Sequence, residues 1–186
     1  DVPAIVMTGS VIYDFSSERL ICAHSLHESY SELIAECAMK QPDIAVVVNT
    51  LYESYRIKSN LHLEKRGTLA DREAPIASLN AVKNEAVYKI LIVHQDHATL
   101  RQLERFIGKR FDGVFNVNFA SRHFVEIVSA DAGKDKALQE LANILNVSLE
   151  NTHYAGDGLT DLPAMLAAGT SSAPKNAPLE VKKAAD

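Results

Sequence analysis

An α/β fold is predicted for this chain, with an α+β unit leading into a parallel-sheet unit, and three observations point there. Strand-like apolar runs alternate with segments of helical period along the 186 residues. From about residue 122 the order becomes a regular βαβα rhythm, which implies parallel strands joined by helices. A strand end at residues 153–155 runs through Gly156-Asp157-Gly158 straight into a helical pattern. In an open α/β sheet such strand-to-helix junctions line the ligand crevice.

Composition narrows the function classes. Hydrophobic residues make up 47% and charged residues 23%, the balance of a soluble globular protein. A net charge of -5 argues against a nucleic-acid partner, because no basic stripe is available to replace the counterions on phosphates. No apolar run has the length of a membrane span. Two cysteines, Cys22 and Cys37, offer neither a disulfide framework nor metal-ligand spacing, which suits a reducing cytoplasm.

The elements follow from local pattern. Residues 4–7 form a short apolar strand, 8–10 a turn, and 11–13 and 19–24 two further strands around a polar turn. Between 28 and 40, Tyr30, Leu33, Ile34, Cys37 and Ala38 recur at three-and-four spacing, so a helix is expected there, ended by Gln41-Pro42. Strands are expected over 44–48 and 51–58. The charged stretch 61–83, with Pro75 inside, reads as loop with a short helix. Residues 87–93, VYKILIV, are a clear strand, and 98–107 a helix that Gly108 should stop. Strands follow at 114–117 and 124–128. A helix opens at Gly133-Lys134 with Ala137, Leu138, Leu141, Ala142 and Leu145 on its buried face. The helix over 162–168 should bury Met165 and Leu166, with Gly169 ending it. A short strand is expected over 170–173, and a last helix over 177–185 with Asn176 as N-cap.

The chemistry concentrates near the C-terminus. Asp157 and Asp161 place two hard oxygen donors on one turn, a set that suits Mg²⁺. Lys134 and Lys136 stand in the first turn of a helix, where the macrodipole disfavours cations. Either they are solvated lysines offset by Asp131 and Asp135, or one of them shares an anion with the helix N-terminus.

These motifs resemble those of a known family. FVEIVSADAGKDKAL is similar to the third motif of haloacid-dehalogenase-like (HAD) phosphohydrolases of the Cof type, whose caps are large C2-type α+β insertions, and GDGLTD is similar to their fourth. The resemblance implies a partial Rossmann-like HAD core with a parallel sheet, over 1–10 and 122–186, and an inserted α+β cap over 11–121. It implies Mg²⁺ as cofactor, with Asp157 as metal ligand, Asp161 as second acid supporting the metal, and Lys134 as the catalytic lysine that meets phosphate. KNAPLEVKKAAD resembles the family's asparagine-alanine loop, which makes Asn176 a substrate-binding candidate. PAIVMTGSVIYD resembles the segment entering the cap, with Thr8-Gly9 in place of the frequent Asn-Gly. Thr160 stands where this branch usually has asparagine.

The implied activity is Mg²⁺-dependent hydrolysis of a small phosphorylated metabolite, such as a sugar phosphate, nucleotide or cofactor, through a phospho-aspartyl intermediate. The Asp-x-Asp motif that supplies the nucleophile is missing from these residues, so the chain is expected to be a piece of a longer protein and inactive alone. Two alternatives are a non-catalytic metal- or anion-binding module and a sugar-phosphate mutase. Glu53, Tyr55 and Arg56 are candidate specificity residues of the cap. Cys22, His24 and His27 are close in sequence, but a strand-to-helix crossing is a poor scaffold for zinc.

Overall fold

The computed structural model describes residues 3–186. Its strands and α-helices are, in chain order, β1 (Ala4–Val6), β2 (Val11–Asp14), β3 (Arg19–Ala23), α1 (Tyr30–Lys40), β4 (Ala45–Asn49), β5 (Ser54–Lys58), α2 (Leu61–Arg66), α3 (Leu69–Glu73), α4 (Leu79–Val82), β6 (Lys89–Val93), α5 (His97–Arg110), β7 (Phe115–Phe119), β8 (Phe124–Ser129), α6 (Lys134–Ile144), β9 (His153–Ala155), α7 (Leu162–Ala167), β10 (Thr170–Ser172) and α8 (Leu179–Ala184). They form two compact units. One comprises the residues up to His24 together with Asp131–Asp186, and the other is Ser25–Ala130.

These boundaries differ from the expected division at 11–121, and strand pairing is the reason. β2 pairs with both β1 and β3, which keeps residues 11–24 with the N-terminal strand. β8 pairs antiparallel with β6 and β7, which draws residues 124–129 into the other unit and away from the expected parallel sheet.

The 25–130 unit is built on a five-stranded antiparallel sheet in the order β5-β4-β6-β8-β7. Alternating residues of its strands face opposite sides. Val46, Val48, Ile90, Ile92, Val125 and Ile127 meet Leu33, Ile34 and Cys37 of α1 and Leu100, Leu103 and Ile107 of α5 in one continuous core. Ala45, Val47, Leu91 and Val93 point the other way, where Leu63 of α2 covers them. The stretch read as loop with one short helix holds α2, α3 and α4. Side-chain caps start two of these, with Asn60 Oδ1 accepting from Leu63 N at 2.8 Å and Thr68 forming a reciprocal box with Asp71. Gly108 does not stop α5. The helix runs on to Arg110, and Phe111 N donates to the Ile107 carbonyl while the Phe111 ring is buried, so packing overrides the glycine's low propensity.

In the other unit β1, β2 and β3 form an antiparallel meander, and β9 and β10 a parallel pair. Met165, Ala177 and Val181 form a small core cluster with Tyr154 and Leu162 packed on it. Two expected core residues lie outside it: Leu145 follows the last turn of α6 and is 46% exposed, and Leu166 of α7 is 73% exposed. The last helix is shorter than expected. Proline disfavours helical geometry in the residue before it, so Ala177 lies in a turn with its N–H on the Pro174 carbonyl. Pro178 is therefore the N-cap, and Asn176 is exposed two residues earlier.

Candidate active site

Asp161 organises the loop between β9 and α7. Residues 159–161 form a single 3-10 turn, which folds the Asp161 carboxylate back under the chain. Its Oδ2 accepts from the backbone N–H groups of Gly158 at 2.9 Å and Asp157 at 3.1 Å. Its Oδ1 accepts from Lys134 Nζ at 2.6 Å and from the Tyr154 hydroxyl at 3.1 Å. Gly156 makes room for this fold, since a Cβ there would stand 2.5 Å from the Asp161 Cβ.

The electrostatics follow from that enclosure. Asp161 is only 5% exposed, and burial pushes its carboxyl pKa up. The Lys134 hydrogen bond and charge, with the Gly158 and Asp157 N–H groups, outweigh burial and hold it below its ordinary value. Tyr154 is pushed well above the usual phenol range, by burial first and then by the Asp161 charge. The phenol therefore stays a neutral donor.

Lys134 opens α6, as the motif requires. Its side chain is 28% exposed, so the ammonium reaches both Asp161 and solvent. The start of α6 is seated by the N-terminal turn of the same unit. Met7, Thr8 and Gly9 all have positive φ, and the turn brings Gly9 so close that a Cβ would lie 2.3 Å from the Gly133 carbonyl oxygen. Only glycine fits there.

The two acids thus differ. Asp161 gives its oxygens to four protein donors, whereas Asp157 is exposed and lines an open depression of ≈ 490 Å³ with Ser172 and Pro174. β9 and β10 are parallel, with Ala155 opposite Ser172, so the loops carrying Asp157 and Asn176 leave from the same, carboxyl end of the pair. An exposed carboxylate open to water fits Mg²⁺, which commonly keeps several waters and takes one or two carboxylates. Of the expected metal pair, Asp157 has the free geometry, and Asp161 is committed to Lys134 and the loop.

Tyr154 is the residue that sequence reasoning missed. Its signal was an aromatic at a strand end just before a run of small residues. In the other unit the expected specificity residues scatter. Tyr55 packs on the helix-covered core with its hydroxyl on Glu85, Arg56 Nε donates to the Ala74 carbonyl, and Glu53 is exposed in a turn. A separate depression of ≈ 510 Å³ opens on the opposite face of that sheet, lined by Asn49, Ser54, Arg66, Lys89 and Glu126, with Lys89 and Glu126 paired at 3.1 Å.

Comparison with known proteins gives the family and the fold. A family profile described as haloacid dehalogenase-like hydrolase matches residues 1–186, so the chain belongs to that family. It is 24% identical over 163 residues to a Buchnera aphidicola protein provisionally named a phosphatase, covering 87% of this chain and 61% of that protein. It is 25% identical over 208 aligned residues to the 5-amino-6-(5-phospho-D-ribitylamino)uracil phosphatase YwtE of Bacillus subtilis, covering 98% of this chain and 71% of that one. A solved sugar phosphatase of HAD subclass IIB shares the fold at a TM-score of 0.84 with 18% identity, over 99% of this chain and 67% of that one. The chain spans 61–65% of the length of three Buchnera relatives. No helix among the described residues is long and apolar enough to cross a membrane.

Proposed function

We propose that the full-length protein containing this chain is a cytoplasmic, Mg²⁺-dependent phosphomonoesterase acting on a small phosphorylated metabolite, with no nucleic-acid partner. The observation that carries this reading is the 2.6 Å Lys134–Asp161 pair, which joins two motifs 27 residues apart beside the exposed Asp157. Relatives named as phosphatases of a phosphoribityl compound and of sugars support the substrate class. Two free cysteines fit a reducing compartment.

On this reading the Ser25–Ala130 unit serves as the cap and the other unit belongs to the core. Asp157 would hold Mg²⁺, which when bound neutralises charge on the phosphoryl oxygens. Lys134 places an ammonium against the same charge, and Asp161 fixes its position through a short ion pair. Asn176, on the loop after β10, would contact substrate. An aspartate outside residues 1–186 attacks phosphorus, the P–O bond to the leaving alcohol breaks, and a phospho-aspartyl ester forms. Water then displaces the carboxylate and releases inorganic phosphate.

Phosphate release from a panel of phosphorylated sugars, nucleotides and cofactors, measured on the full-length protein with Mg²⁺, tests the proposal. Asp157→Asn and Lys134→Ala should each lower kcat/KM by about a hundredfold or more. Activity that survives both substitutions, or full activity in a metal chelator, would refute it.

A further inference from the structure

Outside this site, a second group of side chains converges. Cys22 lies near the end of β3 and His24 follows the strand's last residue, with their side chains in contact. Glu140 reaches them from α6. Cys22 Sγ lies 3.4 Å from Glu140 Oε2 and 3.7 Å from His24 Nε2, and His24 Nε2 lies 2.8 Å from Glu140 Oε1. All three atoms fall within 4.8 Å of one another, and all three residues are half-buried. They belong to one compact unit, with the ligands drawn from chain segments on either side of residues 25–130.

We propose that Cys22, His24 and Glu140 form a binding site for a thiophilic divalent cation of the zinc type, with solvent supplying the fourth ligand. A thiolate, an imidazole and a carboxylate are the donor types that zinc takes. Zinc bond lengths of about 2.0–2.3 Å place the donor atoms of a tetrahedral site about 3.3–3.6 Å apart. The Cys22–His24 separation is already near that range, and Glu140 turns a different oxygen to each of them, Oε2 to Cys22 and Oε1 to His24. Ligation then requires the Glu140 carboxylate to turn one oxygen to the cation and the His24–Glu140 contact to open by about half an ångström, the cation taking the place of the proton between them. Cation binding releases the Cys22 thiol proton to solvent, and the single proton of the neutral His24 ring passes from Nε2 to Nδ1 by exchange with solvent.

A nucleophilic Cys–His–Glu triad does not fit this geometry. In such a triad one ring nitrogen serves the nucleophile and the other the acid. Here the same nitrogen, Nε2, faces both Cys22 and Glu140. Side-chain exposures of 26% for His24 and 32% for Glu140 leave a path for the ion and a water. In sequence Cys22 and His24 stand near His27, a set that reads as a poor scaffold for zinc, and His27 lies across the unit boundary, where its Nδ1 is 2.9 Å from the Ser29 hydroxyl. Glu140, 116 residues further on than His24, joins the two instead.

The site is independent of the phosphatase reading and can be tested without turnover. The purified full-length protein is titrated with Co²⁺ in excess Mg²⁺, and with Zn²⁺ against a chromogenic chelator. One equivalent should bind with a thiolate-to-cobalt charge-transfer band. Cys22→Ser should abolish that band. His24→Gln and Glu140→Gln should each weaken Zn²⁺ binding by about tenfold or more. The wild-type measurement stands alone if a variant fails to fold. Absence of the band from the wild-type protein, its persistence in Cys22→Ser, or Zn²⁺ binding undiminished in a folded Glu140→Gln variant would overturn the assignment.

Discussion

The Ser25–Ala130 unit and the unit that carries Lys134 and Asp161 hold themselves together by different means. In the first, five strands bury one face against α1 and α5 in a continuous apolar core. In the second, the apolar cluster around Met165 and Val181 is small, and a buried carboxylate with four donors ties β9, the loop and α6 together. Apolar burial is non-directional and tolerates repacking. A buried charge is costly unless every partner is present, so the second unit depends on specific atoms where the first depends on volume.

Mutation should separate the two cases. The largest loss is expected in the apolar core, where Leu33→Ala removes a fully buried side chain and should cost about 2–5 kcal/mol in denaturant unfolding. Hydrogen exchange should place that loss in the sheet of the 25–130 unit. Asp161→Ala should cost about 2–3 kcal/mol, below the full value for a buried pair because Lys134 keeps 28% exposure. Its exchange signature should be confined to the other unit. Equal loss of protection in both units for either variant would erase the contrast.

The acid response is expected to be smaller. The Asp161 pKa is lowered in the folded state, so its stabilising contribution is present above the ordinary carboxylate value of 3.8 and is lost as pH falls below it. The difference in Tm between wild type and Asp161→Asn should accordingly shrink toward low pH. Tyr154 works at the other end: with its pKa raised, its contribution is present below about pH 10 and is lost as the solution becomes more alkaline. The smallest stability effect belongs to Asp157→Asn. The residue is exposed, and the change should stay within about 0.5 kcal/mol by thermal unfolding, whatever it does to turnover.

The loop GDGLTD shows how far local sequence reaches. Its glycines, the following Pro163 and the apolar period of α7 foretell a strand, a turn and a helix, because each is a short-range preference of the backbone. The same local logic finds α1 and the strands β4, β6 and β8. It fails where a distant partner decides. Gly108 stays helical because Phe111 is held by the core, and Leu145 and Leu166 are exposed although their helical phase suggests burial.

At the sites, residue types were legible, and the contacts that set them apart were not. Lys134, Asp157 and Asp161 stand out by motif, and the family resemblance implies Asp157 as metal ligand and Asp161 as second acid, but residue type alone does not say which carboxylate is buried. Only the folded chain turns Asp161 inward onto Lys134, Tyr154 and two N–H groups while Asp157 faces water. Likewise Cys22 and His24 are visible as neighbours in sequence, whereas Glu140 joins them only once α6 packs in the same unit. The sequence by itself determined the class of fold, the family motifs and the kinds of donor atoms available, since these rest on period and composition. Tertiary structure decided which donors meet, because a bond across 27 or 116 residues depends on packing that no local pattern encodes.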